Sequence, residues 1–315
     1  MSAFVFVTPT WDAAPWAAAM RKAAPELDVR VWPDLGDVND IQYAACWLPP
    51  ANVVKSFPNL QVIFSLGAGV DAILSDPTLP RDVPIVRVND DDLTNRMSEF
   101  IVMHVLMHHR QQLRLNDNQR KGVWDGFSQP AARDMTVGIM GLGVLGQDAA
   151  KKLRVMGFQV RGWSRTLKVI EGIKGFAGPA ELDAFLSGAD ILVSLLPATH
   201  ETDGIINRAL ISKLSRKAPF GAPILINAGR GRQNNEDDIL DCLDDGSLYG
   251  ASLDVFRHEP LPASSRFWNH PKVMISPHTA ADSDPATICI YIARQIARLQ
   301  NGKILQNQID RKLSY

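Results

Sequence analysis

The sequence predicts an α/β protein built from two doubly wound parallel-sheet domains, and three observations lead there. The first hundred residues alternate short apolar, β-prone runs with helical stretches, the pattern of a parallel sheet covered by helices. A strand, a glycine-rich turn and a helix follow one another between Thr136 and Met156. About 135 residues precede that turn in a chain of 315, enough for a domain of their own.

In order, Phe4 to Thr8 reads as the first strand and Ala14 to Ala24 as a helix. Val29 to Trp32, Ala44 to Leu48, Val62 to Leu66 and Ile85 to Val88 read as further strands. Gly67-Ala68-Gly69 follows one of them. Ligands of such sheets sit at the carboxyl ends of strands, so the N–H groups of this loop are candidate anion contacts, although a plain flexible turn fits the spacing as well. From Asn95 to Arg120, Met97, Ile101, His104 and Met107 recur at helical spacing, which predicts one long helix bridging the domains. His104 and His108 lie one turn apart on it, but the intervening Val-Leu-Met supplies no carboxylate, unlike a metalloprotease helix, and no metal is expected.

Thr136 to Met140 is apolar and β-prone, and Gln147 to Met156 is helical, with Ala150, Leu153 and Met156 on one side. Between them stands Gly141-Leu142-Gly143-Val144-Leu145-Gly146. In this setting Gly141 permits a tight turn, Gly143 lets backbone approach a pyrophosphate, and Gly146 lets helix and strand pack closely. The helix start adds N–H groups and a positive dipole end, so the passage predicts dinucleotide binding. Strands recur at Gln159 to Trp163, Ile191 to Leu195, Ile224 to Asn227, Ala251 to Val255 and Val273 to Ser276. Asn235 to Leu243 and Pro285 to Leu299 are helical.

Composition narrows the function classes. With 33 basic against 34 acidic residues, nothing points to nucleic acid or to an anionic membrane. The start, Met1 to Pro9, reads as a strand rather than a signal peptide, and no apolar run is long enough to span a bilayer. Cys46, Cys242 and Cys289 are odd in number and scattered, as expected of reduced thiols in a cytosolic protein.

Three polar residues stand just beyond strands of the second sheet: Arg230 in Asn227-Ala228-Gly229-Arg230-Gly231, Glu259 in Asp254-Val255-Phe256-Arg257-His258-Glu259, and His278 in Ser276-Pro277-His278-Thr279. All three could face one crevice at the sheet's carboxyl edge. An Arg there suits a carboxylate through a bidentate fork. A His suits proton transfer near neutral pH, and a Glu beside it would favour the imidazolium. His258 and His270 lie nearby, and spacing alone does not choose among the three histidines.

The second strand of the nucleotide domain bears on the choice of cofactor. An NAD-selecting domain places an acid at the end of that strand, about twenty residues past the glycine loop, to bind the ribose hydroxyls. Ser164 stands there, followed by Arg165, Thr166 and Lys168. A carboxylate would repel a 2′-phosphate, whereas a hydroxyl beside two cations would bind one. NADPH is therefore expected to be preferred, with NADH weaker.

The motifs GLGVLG, NAGRG, LDVFxxEPLP and SPHTA, in that order, resemble those of the D-2-hydroxyacid dehydrogenase family nearly end to end. Leu66 to Asp71, Cys46 to Pro50 and Gly162 to Thr166 most resemble its short bacterial glyoxylate/hydroxypyruvate reductases. The resemblance implies a Rossmann-type nucleotide domain at 100–283 and a flavodoxin-like substrate domain at 1–99 and 284–315, with an active-site cleft between them and the last helix returning to the first domain. It implies that Arg230 binds the substrate carboxylate and carbonyl, that His278 is the acid/base and that Glu259 is its partner. Trp47, Gly67, Ala68 and Gly69 would contact the substrate. Gly141, Gly143, Val144, Leu145, Gly146, Ser164, Arg165, Thr166, Lys168, Leu196, Pro197, Ala228 and Asp254 would contact the cofactor, Asp254 near the nicotinamide carboxamide. A homodimer and a small 2-ketoacid substrate are implied as well. Two departures concern substrate preference: Thr279-Ala280-Ala281-Asp282 replaces a Gly-rich stretch, and Asn89 to Asp92 is unusually acidic. Glu rather than Gln at 259 argues against the formate dehydrogenase branch, and the lack of a further C-terminal domain argues against the longer phosphoglycerate dehydrogenases. A nucleotide-sensing regulatory protein on the same fold is the rival reading.

Overall fold

The computed structural model describes residues 2–67 and 69–311, so Ala68 lies outside the described residues. The first stretch runs β1 (Ala3–Val7), α1 (Ala14–Ala23), β2 (Asp28–Val31), β3 (Ile41–Cys46), β4 (Val62–Ser65), α2 (Asp71–Leu74) and β5 (Ile85–Arg87). Then come α3 (Asp91–His109), α4 (Gln112–Lys121), β6 (Thr136–Met140), α5 (Val144–Val155), β7 (Gln159–Ser164), β8 (Lys174–Ala177), α6 (Leu182–Leu186) and β9 (Ile191–Ser194). The chain closes with α7 (Arg208–Ile211), β10 (Ile224–Asn227), α8 (Glu236–Asp244), β11 (Gly250–Leu253), β12 (Val273–Ile275) and α9 (Pro285–Gln300). Two compact units result: Met1–Leu93 with Asp282–Tyr315, and Thr94–Ala281. Among the described residues no helix is long and apolar enough to cross a membrane.

The first unit holds a five-stranded parallel sheet in the order β2-β1-β3-β4-β5. Both faces of β1 are buried, and the strand period of two divides its side chains between two cores. Phe4 and Phe6 meet Trp16, Ala17 and Met20 of α1 together with Ile288, Cys289, Ile292 and Ile296 of α9. Ala3, Val5 and Val7 face Ile41, Ile63, Phe57 and Ile73. The last helix thus completes the core begun by the first strand. Asp284 starts it, its carboxylate accepting from the Thr287 N–H at 2.8 Å, a cap worth about 1 kcal/mol.

The second unit holds seven parallel strands in the order β12-β11-β10-β9-β6-β7-β8. Strand order reverses between β6 and β9, the switch point at which a doubly wound sheet leaves a crevice for a dinucleotide. The glycine turn follows β6, at that point. One sheet face buries Met140, Leu192, Leu225 and Leu253 against Ile239 and Leu243 of α8. The other buries Val137, Ile139, Val193 and Ile226 against α3 and against Ala149, Ala150 and Leu153 of α5.

Two features differ from the sequence expectation. The single helix from Asn95 to Arg120 is two helices, because Gln111 adopts a left-handed conformation (φ 54°) and ends the register. A tertiary contact accompanies the break: the Tyr249 hydroxyl donates to Gln111 Oε1 at 3.0 Å. The edge strand β8 carries no apolar run, since Phe176 is its one buried large residue, and so it gave no strand signal.

His104 and His108 are partners of one hydroxyl. His104 Nδ1 and His108 Nε2 each lie 2.8 Å from Ser252 Oγ, in the core. A hydroxyl can donate to one ring and accept from the other, so both imidazoles are satisfied when neutral. Burial pushes His104 down to about 4, against a weaker opposing pull from Asp254, and burial with the charge of His104 pushes His108 down to about 3. Unfolded imidazoles take up protons near pH 6.5, and the folded ones resist. This contribution to stability is therefore complete above about pH 6.5 and is lost as pH falls from there through the folded values. The melting temperature should drop across that window, and His104→Gln should flatten the drop. An equal acid sensitivity in wild type and variant, by differential scanning fluorimetry, would argue against this source.

Candidate active site

The glycine turn is built for close approach. Gly141 has φ 104°, and a Cβ there would lie 2.7 Å from the Leu195 carbonyl oxygen. A Cβ on Gly146 would lie 2.0 Å from the Gly141 carbonyl oxygen, so the first turn of α5 closes on the loop only without a side chain. Gly143 is the opposite case: nothing stands within 4 Å of where its Cβ would be. Gly143 is also the N-cap of α5 and provides no side-chain cap, and the Val144 side chain is exposed beside it. Open space, uncapped N–H groups and a helix start fit a dinucleotide pyrophosphate.

The other residues expected at the nucleotide lie at the same carboxyl edge. Leu196 and Pro197 follow β9, Ala228 follows β10, and Ser164 ends β7, with Arg165, Thr166 and Lys168 exposed after it. The Ser164 hydroxyl donates to the Thr166 carbonyl at 2.8 Å and so tightens that turn. Gln233 and Asn227 carry no motif signature, yet they brace these loops from within. Gln233 Nε2 donates to the Leu196 carbonyl at 2.6 Å, and its Oε1 accepts from Ser194 Oγ at 2.8 Å. Asn227 Oδ1 accepts from the Gly229 N–H, and its Nδ2 donates to Asn234 Oδ1 at 2.7 Å. Buried amides of this kind are legible only from their partners.

Arg230 follows β10, Glu259 follows β11 and His278 follows β12, on three neighbouring strands. The structure brings Glu259 to His278 at 2.7 Å, Oε2 to Nδ1. The other Glu259 oxygen accepts from the Phe256 N–H at 2.9 Å, which fixes the turn that presents it. Burial pushes the Glu259 carboxyl up, but the bonds from His278 and Phe256 and the charges of His278 and Arg230 outweigh it and hold it below the usual glutamate value. Arg230 thus bears electrostatically on the pair, and its Nη1 donates to the Gly229 carbonyl at 2.8 Å. Of the competing histidines, His270 faces Asp244 at 3.4 Å and His258 is exposed.

His278 sits at φ 57°, a left-handed conformation that costs a non-glycine residue about 1–3 kcal/mol and persists only when its surroundings impose it. Asp254 imposes it. Its carboxylate accepts from Ser276 Oγ (2.6 Å), the Thr279 N–H (2.9 Å) and the Ala280 N–H (3.1 Å), and its carbonyl accepts from the His278 N–H (2.9 Å). Both oxygens of this buried carboxylate are engaged by the loop that carries the histidine.

In the first unit, Trp47 follows β3, and Gly67 and Gly69 follow β4. The Trp47 ring lies on the backbone of Gly67, where a Cβ would come within 2.4 Å of ring carbon Cζ3. Ser65 Oγ approaches the carbonyl oxygens of Gly67 (3.0 Å) and Gly69 (2.6 Å), tying both ends of the loop to the strand.

A family model described as the NAD binding domain of D-isomer specific 2-hydroxyacid dehydrogenases matches residues 102–280. The structure resembles the NADPH-dependent glyoxylate/hydroxypyruvate reductase of Sinorhizobium meliloti, solved with NADP and sulfate, at 47% identity and TM-score 0.95 over 100% of both chains. It resembles a D-isomer specific 2-hydroxyacid dehydrogenase from Xanthobacter autotrophicus Py2, solved with NADPH and MES, at 37% identity and TM-score 0.94, over 100% of this chain and 99% of that one. A probable 2-hydroxyacid dehydrogenase from Rhizobium etli CFN 42, solved with NADP, HEPES and L(+)-tartaric acid, matches at 44% identity and TM-score 0.93 over 100% of this chain and 99% of that one. The chain therefore belongs to the D-isomer specific 2-hydroxyacid dehydrogenase family and is an NAD(P)-dependent 2-hydroxyacid dehydrogenase/2-ketoacid reductase.

Proposed function

We propose that this enzyme reduces small 2-ketoacids of the glyoxylate/hydroxypyruvate type to the D-2-hydroxyacid with NADPH. The observation that carries the reading is the Glu259–His278 pair, held at 2.7 Å on the carboxyl edge that also bears Arg230 and the glycine turn. The Sinorhizobium meliloti protein at 47% identity, a glyoxylate/hydroxypyruvate reductase, supports the substrate class. When bound, the dihydronicotinamide supplies the hydride. Arg230 grips the ketoacid carboxylate and carbonyl and stabilises the negative charge growing on the oxygen. His278 delivers its proton to that oxygen, and Glu259 keeps the imidazolium in place for the transfer. Residues 1–99 with 284–315 form the substrate domain in this reading, with Trp47, Gly67 and Gly69 as substrate contacts, and residues 100–283 form the nucleotide domain; the compact units divide a few residues away, at 93/94 and 281/282. A panel of 2-ketoacids assayed with purified protein and NADPH should show turnover of glyoxylate and hydroxypyruvate. No turnover of any small ketoacid would refute the proposal and favour a nucleotide-sensing role.

The NADPH preference rests on Ser164, Arg165, Thr166 and Lys168 at the end of β7, where no carboxylate stands to repel a 2′-phosphate. Arg165→Ala should raise KM for NADPH by roughly tenfold, the loss of one charge-assisted contact of about 1.5 kcal/mol, and leave KM for NADH nearly unchanged. Equal efficiency of the unmutated enzyme with the two cofactors would contradict the assignment.

A homodimer formed through the α3–α4 region accords with the exposed apolar side chains there, Met103 and Leu115 on the helices and Val123 and Trp124 just after them. Light scattering at micromolar concentration should return twice the chain mass; the mass of one chain would exclude it.

A further inference from the structure

We propose that Arg257 is a positioning residue that locks the loop carrying Arg230 to the turn carrying Glu259. The Arg257 Nη1 lies 3.0 Å from the Arg232 carbonyl oxygen and 3.2 Å from the Asn234 carbonyl oxygen, two residues and four residues past Arg230. The same nitrogen lies 3.4 Å from Asp203 Oδ1, on the loop that follows β9. The Arg257 N–H donates to Glu236 Oε1 at 2.7 Å, at the start of α8, where the Arg230 loop ends. Asp203 turns its second oxygen to Arg232 at 2.6 Å, so one carboxylate joins two arginines from two different loops.

The backbones beneath this clamp already touch. A Cβ on Gly231 would lie 1.9 Å from the Phe256 carbonyl oxygen, and Asn234 Nδ2 donates to the Val255 carbonyl at 3.0 Å. Arg257 therefore closes an interface between two loops whose other ends bear the reacting groups: Arg230 directly before Gly231, Glu259 directly after His258. The ion pairs at Asp203 are partly exposed and screened, with 40% and 32% of the Arg257 and Asp203 side chains accessible, so the carbonyl bonds carry most of the hold. The effect passes through the spacing of Arg230 and Glu259.

The inference rests on the reading of Arg230, Glu259 and His278 as the reacting groups. The test is Arg257→Met, which keeps the apolar stem and removes every side-chain donor. Steady-state reduction of glyoxylate with NADPH should show KM for the ketoacid raised about tenfold and KM for NADPH unchanged. The acid limb of the pH–rate profile should move to higher pH, because the Glu259 carboxyl, less firmly held by the bonds from His278 and Phe256, rises toward the usual glutamate value. Amide exchange should quicken across residues 231–235 and 256–259. Arg257→Lys, whose ammonium offers three donors to the same three oxygens, should recover part of KM. Arg266→Ala, which removes an exposed ion pair with Asp244, should change none of these. Asp203→Asn, which leaves the carbonyl bonds in place, should move KM and the acid limb in the same direction by less, and it serves if Arg257→Met fails to fold. An Arg257→Met enzyme with wild-type KM and pH profile, or with kcat reduced but KM and profile intact, overturns the clamp and leaves the functional reading standing. A wild-type protein without turnover overturns both.

Discussion

His278→Asn should nearly abolish ketoacid reduction while leaving NADPH binding intact. Losing a general acid costs roughly a hundred- to ten-thousand-fold in rate. Asn is the informative replacement because residue 278 sits at φ 57°, a conformation in which Asn, like His, is enriched among non-glycine residues. The four bonds from Asp254 to the loop use its backbone and Ser276, and none uses the imidazole, so the variant should keep the loop. The glycine turn after β6 is a separate element, so NADPH titration by fluorescence should give an unchanged Kd. Near-normal turnover would move the proton-transfer role to another group, with His258 and His270 the first to test.

Arg230→Lys should not be a conservative change. Lys keeps the charge but presents a single ammonium where the guanidinium offers a planar fork matched to a carboxylate. Hydrogen bonds to charged groups contribute about 1.5–3 kcal/mol, so kcat/KM should fall roughly ten- to a hundredfold with every 2-ketoacid tested. The charge that helps keep the Glu259 carboxyl low remains in the variant, which separates loss of the fork from loss of electrostatics. An unchanged kcat/KM would place the substrate anchor elsewhere, with the Gly67–Gly69 segment as the first alternative.

Much of this was legible in the linear sequence because it depends on local physics. The continuous apolar, β-prone run of β1, the strand–glycine–helix passage and the Pro start of α9 each encode their own element within a few residues. Gly141 needs its positive φ and Gly146 needs close backbone approach within the same βα turn, so their spacing was enough to identify the turn. Arg230, Glu259 and His278 could be placed beyond strands by the same local reasoning, and their motifs, taken together, carried the family resemblance.

What the sequence left open depends on partners far along the chain. Spacing did not choose among three histidines, and the family motifs pointed to His278; only the fold shows that Glu259 stands beside His278 and Asp244 beside His270. Helical periodicity ran on through Gln111, because nothing in the neighbouring residues announces a left-handed break stabilised from Tyr249. His104 and His108 had no assigned partner until the fold placed Ser252, from a distant strand, against both. Spacing and burial pattern, set within one turn or one strand, were determined by the sequence itself. Which hydrogen-bond partner each buried polar group finds was decided only by the tertiary structure, because it depends on where strands far apart in the chain come to lie side by side.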